Sequence, residues 1–222
     1  MLDHLARLEE NNNREWFHAH AKERKAARED FEGLVLGLML ALAEEEPGIL
    51  DYRPGNLTYG MVRDTRRPHQ GGPYHTAFRA TVGPWGRTPI PASLYLHIQP
   101  GNSFLGGGLS MTWFREATLA VREHIAAQGD RWERIVTDRT FVETFGEVQG
   151  ERLKKPPAGC DPLHPQMAWL KHKSWYVTAP LEDALFADSD ALLSRLTALH
   201  RTMAPFNGFL NEVLKGIRIP EW

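Results

Sequence analysis

In Ser93-Leu94-Tyr95-Leu96-His97-Ile98-Gln99 the aliphatic residues alternate with polar and aromatic ones. A period of two requires a strand with one face in a core and the other carrying Tyr95, His97 and Gln99. Residues 57–62, 74–82, 104–111 and 173–179 read as further strands, with Gly83-Pro84 and Gly101-Asn102 as turn signals. The connections in the block from 57 to 111 are too short for helical crossovers, so the sheet is expected to be antiparallel.

Helical periodicity flanks this block on both sides. Leu2, Leu5 and Leu8 mark a first helix that stops at Asn11-Asn12-Asn13, a cluster that caps helices better than it continues them. From Arg14 to Glu46 the positions Phe31, Leu34, Val35, Leu38 and Leu42 follow a one-face pattern, closed by Pro47-Gly48. The helical pattern returns after Thr112, first with Leu119, Arg122, Ile125 and Ala126, then with Trp132, Ile135 and Val136, and last over residues 192–199. Helices on either side of a run of strands define an α+β class, expected here as a single domain over residues 1–222, with a mainly antiparallel sheet flanked by helices. Trp16, Phe17, Trp113, Phe114 and Trp132 are expected as core or helix-docking anchors.

Charge and cysteine usage narrow the functional classes. A formal net charge of −2 gives no overall pull toward nucleic acid or an anionic membrane, so a nucleic-acid role would need a local patch. The single cysteine, Cys160, cannot form an internal disulfide or a four-cysteine zinc site and suits a reducing, cytoplasmic compartment. The longest uncharged run, residues 34–43, is about half a membrane span, and Asp3, Arg7, Glu9 and Glu10 stand where a signal peptide would be apolar.

Between two apolar segments lies Arg63-Asp64-Thr65-Arg66-Arg67-Pro68-His69-Gln70-Gly71-Gly72-Pro73-Tyr74-His75, a polar loop of the kind on which sites are built. Arg63 and Arg66 beside one carboxylate leave an excess of positive charge for a phosphate or carboxylate, with Asp64 orienting them. The alternative is that Asp64 neutralises one of them to hold a strand end. Alternation puts His75 and Arg79 on one strand face, and Tyr95 and His97 on the polar face of a neighbour, together a pocket floor beside Tyr74. His97, with Tyr95, would transfer protons there, the alternative being a satisfied half-buried histidine.

Gly106-Gly107-Gly108 permits a bulge or a close backbone approach, and would also let bare N–H groups cradle an anion. Arg152, Lys154, Lys155, Lys171 and Lys173 form the densest positive region. This region would close over an anion through Lys154 and Lys171, contact nucleic acid with Trp169 and Trp175 as stacking surfaces, or simply be a solvated face. Cys160, Asp161 and His164 lie within five residues, but catalytic groups usually meet in space rather than in one short loop. No metal constellation is visible, and no cofactor is expected.

Four stretches, Asn11 to Phe17, Arg63 to Arg66 with Pro73-Tyr74, Tyr95 to Gly108, and Leu153-Lys154 through Asp161 with Leu170 to Lys173, together with Pro205-Phe206, resemble the family catalogued as domain of unknown function 2461. The resemblance implies a fold and no established activity. The family usually has Phe-Ser-Lys-Asp-Lys in place of Arg67-Pro68-His69-Gln70-Gly71, tends to have lysine in place of His75, and generally has an aromatic residue in place of Cys160. An activity that needed a loop lysine would therefore be altered in this chain.

The expectation is a cytoplasmic protein that binds a small anionic, phosphate-containing ligand in an arginine-rich pocket on the sheet. Whether it is an enzyme stays open. The alternative is a non-enzymatic module that contacts nucleic acid or a protein partner through residues 152–173.

Overall fold

The computed structural model describes residues 1–64, 66 and 71–217. Helix α1 (Leu2–Glu10) turns His4, Leu5 and Leu8 inward. The Asn13 side chain accepts from the Trp16 N–H and starts α2 (Arg14–Ala19), which ends at His20. The long helix expected from Arg14 onward is thus two helices, with α3 (Ala21–Leu42) carrying Phe31, Val35, Leu38 and Leu42 on its buried face. Nothing in the composition of residues 14–25 marks this break.

Next come α4 (Pro54–Leu57), with proline in its first turn, and β1 (Phe78–Val82). The strand expected over 57–62 is reduced to isolated antiparallel bridges, Thr58 with Ala80 and Val62 with Tyr74. Strands β2 (Leu94–Ile98) and β3 (Ser103–Leu109) follow. Then come α5 (Arg115–Ala127), α6 (Gly129–Val136), α7 (Arg139–Phe145), α8 (Met167–Leu170), β4 (Trp175–Leu181) and α9 (Ser189–Leu214). The four strands form one antiparallel sheet in the order β1-β2-β3-β4, and the fold is α+β.

By internal contacts the chain divides into two compact units, each built from separate stretches. The first comprises Met1–Arg87, Tyr95–Leu105 and Pro180–Thr197. In its core Phe31 of α3 stacks on Phe78 of β1, with ring centroids 5.3 Å apart. Tyr74 lies parallel on Phe17 of α2 at 3.6 Å. The Asn12 side chain fixes Tyr74 in place by accepting from its N–H (3.1 Å) and donating to its carbonyl (2.9 Å), reproducing with one side chain the paired bonds of an antiparallel strand.

The second unit comprises Thr88–Leu94, Gly106–Ala179 and the chain from Ala198 onward. Trp132 of α6 sits among Phe206 and Phe209 of α9 at 5.7 and 5.2 Å, and Phe141 of α7 meets Phe206 at 5.6 Å. Asn211 of α9 repeats the clamp of Asn12, accepting from the Ala92 N–H (2.7 Å) and donating to the Ala92 carbonyl (2.8 Å). The triple glycine of β3 is a close-approach device. A Cβ on Gly106 would fall 2.7 Å from the Val177 carbonyl oxygen, on Gly107 2.5 Å from Met203 Sδ, and on Gly108 (φ +102) 2.3 Å from the Trp175 carbonyl oxygen.

The expected core anchors divide. Phe17, Phe114 and Trp132 are buried, whereas Trp113, in the turn before α5, is 67% exposed. Trp175, expected as a stacking surface, is fully buried, because in β4 the alternate residues Trp175, Val177 and Ala179 face the core. Trp169 is occupied as well, edge-on to Trp132 with its indole N–H donating to Glu133 Oε1. Among the described residues no helix is long and apolar enough to cross a membrane.

Candidate functional site

The polar sheet face of the first unit is built by strand alternation. In β1, Phe78, Ala80 and Val82 are buried and Arg79 is half-exposed; in β2, Leu94, Leu96 and Ile98 are buried and Tyr95 and His97 are half-buried. Phe104, at the start of β3, stacks on His97 with centroids 4.8 Å apart and 11° between planes, and Tyr95 lies 6.0 Å from the same ring. Tyr59 completes the group, 6.5 Å from Tyr95, with its hydroxyl 2.8 Å from Thr81 Oγ1.

Two guanidiniums meet on Tyr59, those of Arg79 and Arg87, each 5.6 Å from the ring centroid. Arg79 donates to the Gly60 carbonyl and Arg87 to the Thr58 carbonyl, so both cations are aimed by backbone rather than by carboxylates. The Nε–H of Arg79 is buried and, among the described residues, has no hydrogen-bond partner. That is a donor with its desolvation cost unrelieved.

The electrostatics of the neighbours report the same imbalance. Burial pushes the Tyr95 phenol above its ordinary value, opposed chiefly by the charge of Arg79. Burial pushes His97 below its ordinary value; the bond to Gln99 works against this and the charge of Arg79 adds to it. Among the described residues no carboxylate acts on either group. His97 Nε2 lies 3.1 Å from Gln99 Oε1, and Gln99 Nε2 donates to Thr76 Oγ1 at 3.4 Å, an arrangement in which Nε2 carries the proton of the neutral ring. The face thus offers a neutral phenol as donor, an imidazole whose Nδ1 keeps its lone pair, and two cations that make no ion pair among the described residues.

The central loop is arranged differently from the expectation. Asp64 takes both prongs of Arg66, Nε to Oδ1 and Nη2 to Oδ2 at 2.9 Å each, and also accepts the Arg66 backbone N–H at 3.0 Å. The pair is exposed, 88% for the Arg66 side chain and 47% for Asp64, an ion pair local to the loop. Arg63 donates from Nε to the Tyr74 carbonyl at 3.2 Å. Tyr74 is a buried packing residue. His75 precedes β1, and its N–H donates to the Met61 carbonyl at 2.6 Å, so it shares no strand with Arg79. Thr65 lies outside the described residues, as do Arg67, Pro68, His69 and Gln70, four of the five loop positions at which the chain was expected to depart from the family pattern.

Lys154 and Lys171 belong to the second unit. Lys154 is exposed and Lys171 half-exposed at the end of α8, its carbonyl accepting from the Leu153 N–H at 2.7 Å. Lys173 is paired with Glu151 at 2.5 Å, which removes one cation from the basic region. Among the described residues no group of three or more His, Cys, Asp or Glu is placed to hold a metal ion.

Of the sequence candidates, then, Tyr95, His97 and Arg79 come together, and Arg63, Asp64, Arg66, Tyr74 and His75 serve the adjoining loop. Tyr59 and Arg87 were missed. Tyr59 alternates with Leu57 and Met61 in a segment expected to be a strand, which is a weak signal, whereas Arg87 follows a turn and carries none.

An α+β fold with a four-stranded antiparallel sheet and a cationic, aromatic sheet face is the class that the geometry defines. Residues 1–209 match the family model described as a conserved hypothetical protein, DUF2461, and the chain belongs to that family. No curated protein and no solved structure matches the chain.

Proposed function

We propose that this protein binds a small anionic, phosphate-containing ligand on the polar sheet face around Tyr59, Arg79, Arg87, Tyr95 and His97. The observation that carries the reading is the convergence of Arg79 and Arg87 on Tyr59, each held by a backbone carbonyl and neither in an ion pair among the described residues. A phosphate would accept from the two guanidiniums in forked geometry, and a planar group on the ligand would lie on the aromatic rings. Where the ligand is transformed, His97 takes a proton at Nδ1 and Tyr95 donates one. The single cysteine supports a cytoplasmic address within this reading.

Thermal shift against inorganic phosphate, nucleotides and phosphorylated metabolites tests it. A ligand at about 100 times its Kd adds about 2.7 kcal/mol, a Tm rise of roughly 5–10 °C for a chain of this length. Arg79→Met and Arg87→Met should each remove most of that rise. If no phosphate compound shifts the wild type, or if both variants respond as the wild type does, the reading fails.

A further inference from the structure

A second concavity in the first unit shares the segment Thr58–Gly60 with the sheet face but opens toward α3. It is a cleft of about 330 Å³ between α3 and the segment Thr58–Val62, within the range of small-ligand sites. Its floor is apolar and aromatic, formed chiefly by Phe17, Phe31 and Phe78. Its rim is cationic, formed by Arg24, Lys25 and Arg28 in the N-terminal part of α3, and among the described residues no carboxylate lines it.

The three cations are held unequally. Lys25 and Arg28 make pairs along the helix with Glu29 (3.6 Å) and Glu32 (2.7 Å), exposed contacts of the weak kind that an incoming anion displaces at little cost. Arg24 makes no ion pair among the described residues. It donates to the Phe17 carbonyl, and its guanidinium lies 3.9 Å over the Phe17 ring, which fixes the charge at the edge of the apolar floor. An inorganic anion would leave that floor unused, and a neutral apolar ligand would leave Arg24 unbalanced.

We infer that the cleft is a second binding site and that it takes an amphipathic organic monoanion. The apolar body lies along Tyr59, Met61 and Val62 above the buried rings of the floor, and the single acidic head meets Arg24, Lys25 and Arg28. The chemistry is that of a medium-chain or aromatic organic acid, distinct from the phosphate chemistry of the sheet face.

The test uses the full chain with decanoate, measured by calorimetry and by displacement of 1-anilinonaphthalene-8-sulfonate. Decanol is the uncharged control and inorganic phosphate the headgroup-only control. Two variants are directed at the cleft. Ala21→Trp adds bulk at an exposed position on its lining, and Lys25→Glu with Arg28→Glu reverses the rim at exposed helix positions. Decanoate is expected to bind at one site, with decanol and phosphate each about tenfold weaker or worse. Both cleft variants should lose about tenfold in affinity with unchanged far-UV circular dichroism. His97→Gln, on the sheet face and touching no residue of the cleft lining, should bind decanoate as the wild type does, which separates this site from the sheet face. Absent decanoate binding, equal binding of decanol, or cleft variants that bind as the wild type does would each overturn the inference.

Discussion

Asn211 offers the most direct test of how the second unit is held together. Its side chain satisfies both polar groups of Ala92, 119 residues away, at 2.7 and 2.8 Å, where Ala92 and Asn211 are both buried. Asn211→Ala leaves a buried N–H and a buried carbonyl unpaired, each costing about 1–3 kcal/mol. The vacated volume adjoins two polar groups, so a water molecule can recover part of that. The expected loss is about 2–4 kcal/mol, or roughly 5–15 °C in Tm. Asn211→Asp is the more discriminating change, because a carboxylate keeps the acceptor for the Ala92 N–H but turns an oxygen toward the Ala92 carbonyl. Its protonated form, which can donate to that carbonyl, is the one the fold prefers, so the folded-state pKa of the new group lies above its unfolded value. Its share of stability is then present at low pH and lost as pH rises through the folded value. Urea unfolding followed by tryptophan emission reports on this unit through the fully buried Trp132 and Trp175. A loss under about 0.5 kcal/mol for Asn211→Ala, within the range of ordinary surface changes, or an Asn211→Asp deficit that does not shrink between pH 7 and pH 4, would refute the reasoning.

Two further expectations concern backbone and protons. Gly108→Ala combines a positive φ with a Cβ 2.3 Å from the Trp175 carbonyl oxygen and should cost about 3 kcal/mol or more in urea unfolding. Gly33→Ala, on the exposed side of α3 with nothing within 4 Å of the new carbon, should stabilise by about 0.5–1 kcal/mol. His4, His97 and His172 are all held below the ordinary histidine value, chiefly by burial. The unfolded chain therefore takes up protons first on acidification. Their contribution is complete above about pH 6.5 and is lost as pH falls through the folded values. The urea midpoint should drop between pH 7 and pH 5, and drop less in His97→Gln; an equal slope in the two proteins would remove His97 from this account.

The parts legible in the sequence are those written in local pattern. The alternation from Leu94 to Ile98 correctly put Tyr95 and His97 on a half-buried face, and Asn13 caps α2 as its residue type suggests. The same rule applied to Trp175, Val177 and Ala179 points all three inward, and Trp175 is core rather than a stacking platform. The break at His20 was hidden because residues 14–25 are acceptable helix formers throughout. Short helices such as α7 and α8 leave too few turns for a periodic signal. In the site, Arg79 and Tyr95 follow from alternation. The meeting of Arg87 with Tyr59 depends on backbone carbonyls far along the chain, a long-range fact that no window of sequence contains.

The joint at Tyr74 changes what the family resemblance signifies. Its carbonyl accepts from both Asn12 and Arg63, and its ring lies on Phe17, so residues drawn from two stretches that resemble the family, 62 positions apart at Asn12 and Tyr74, converge on one peptide group. Those stretches behave as one word written in two places. A change in either half would alter the meaning of the other, and part of what reads as a functional signature is the grammar that lets the loop be spoken at all.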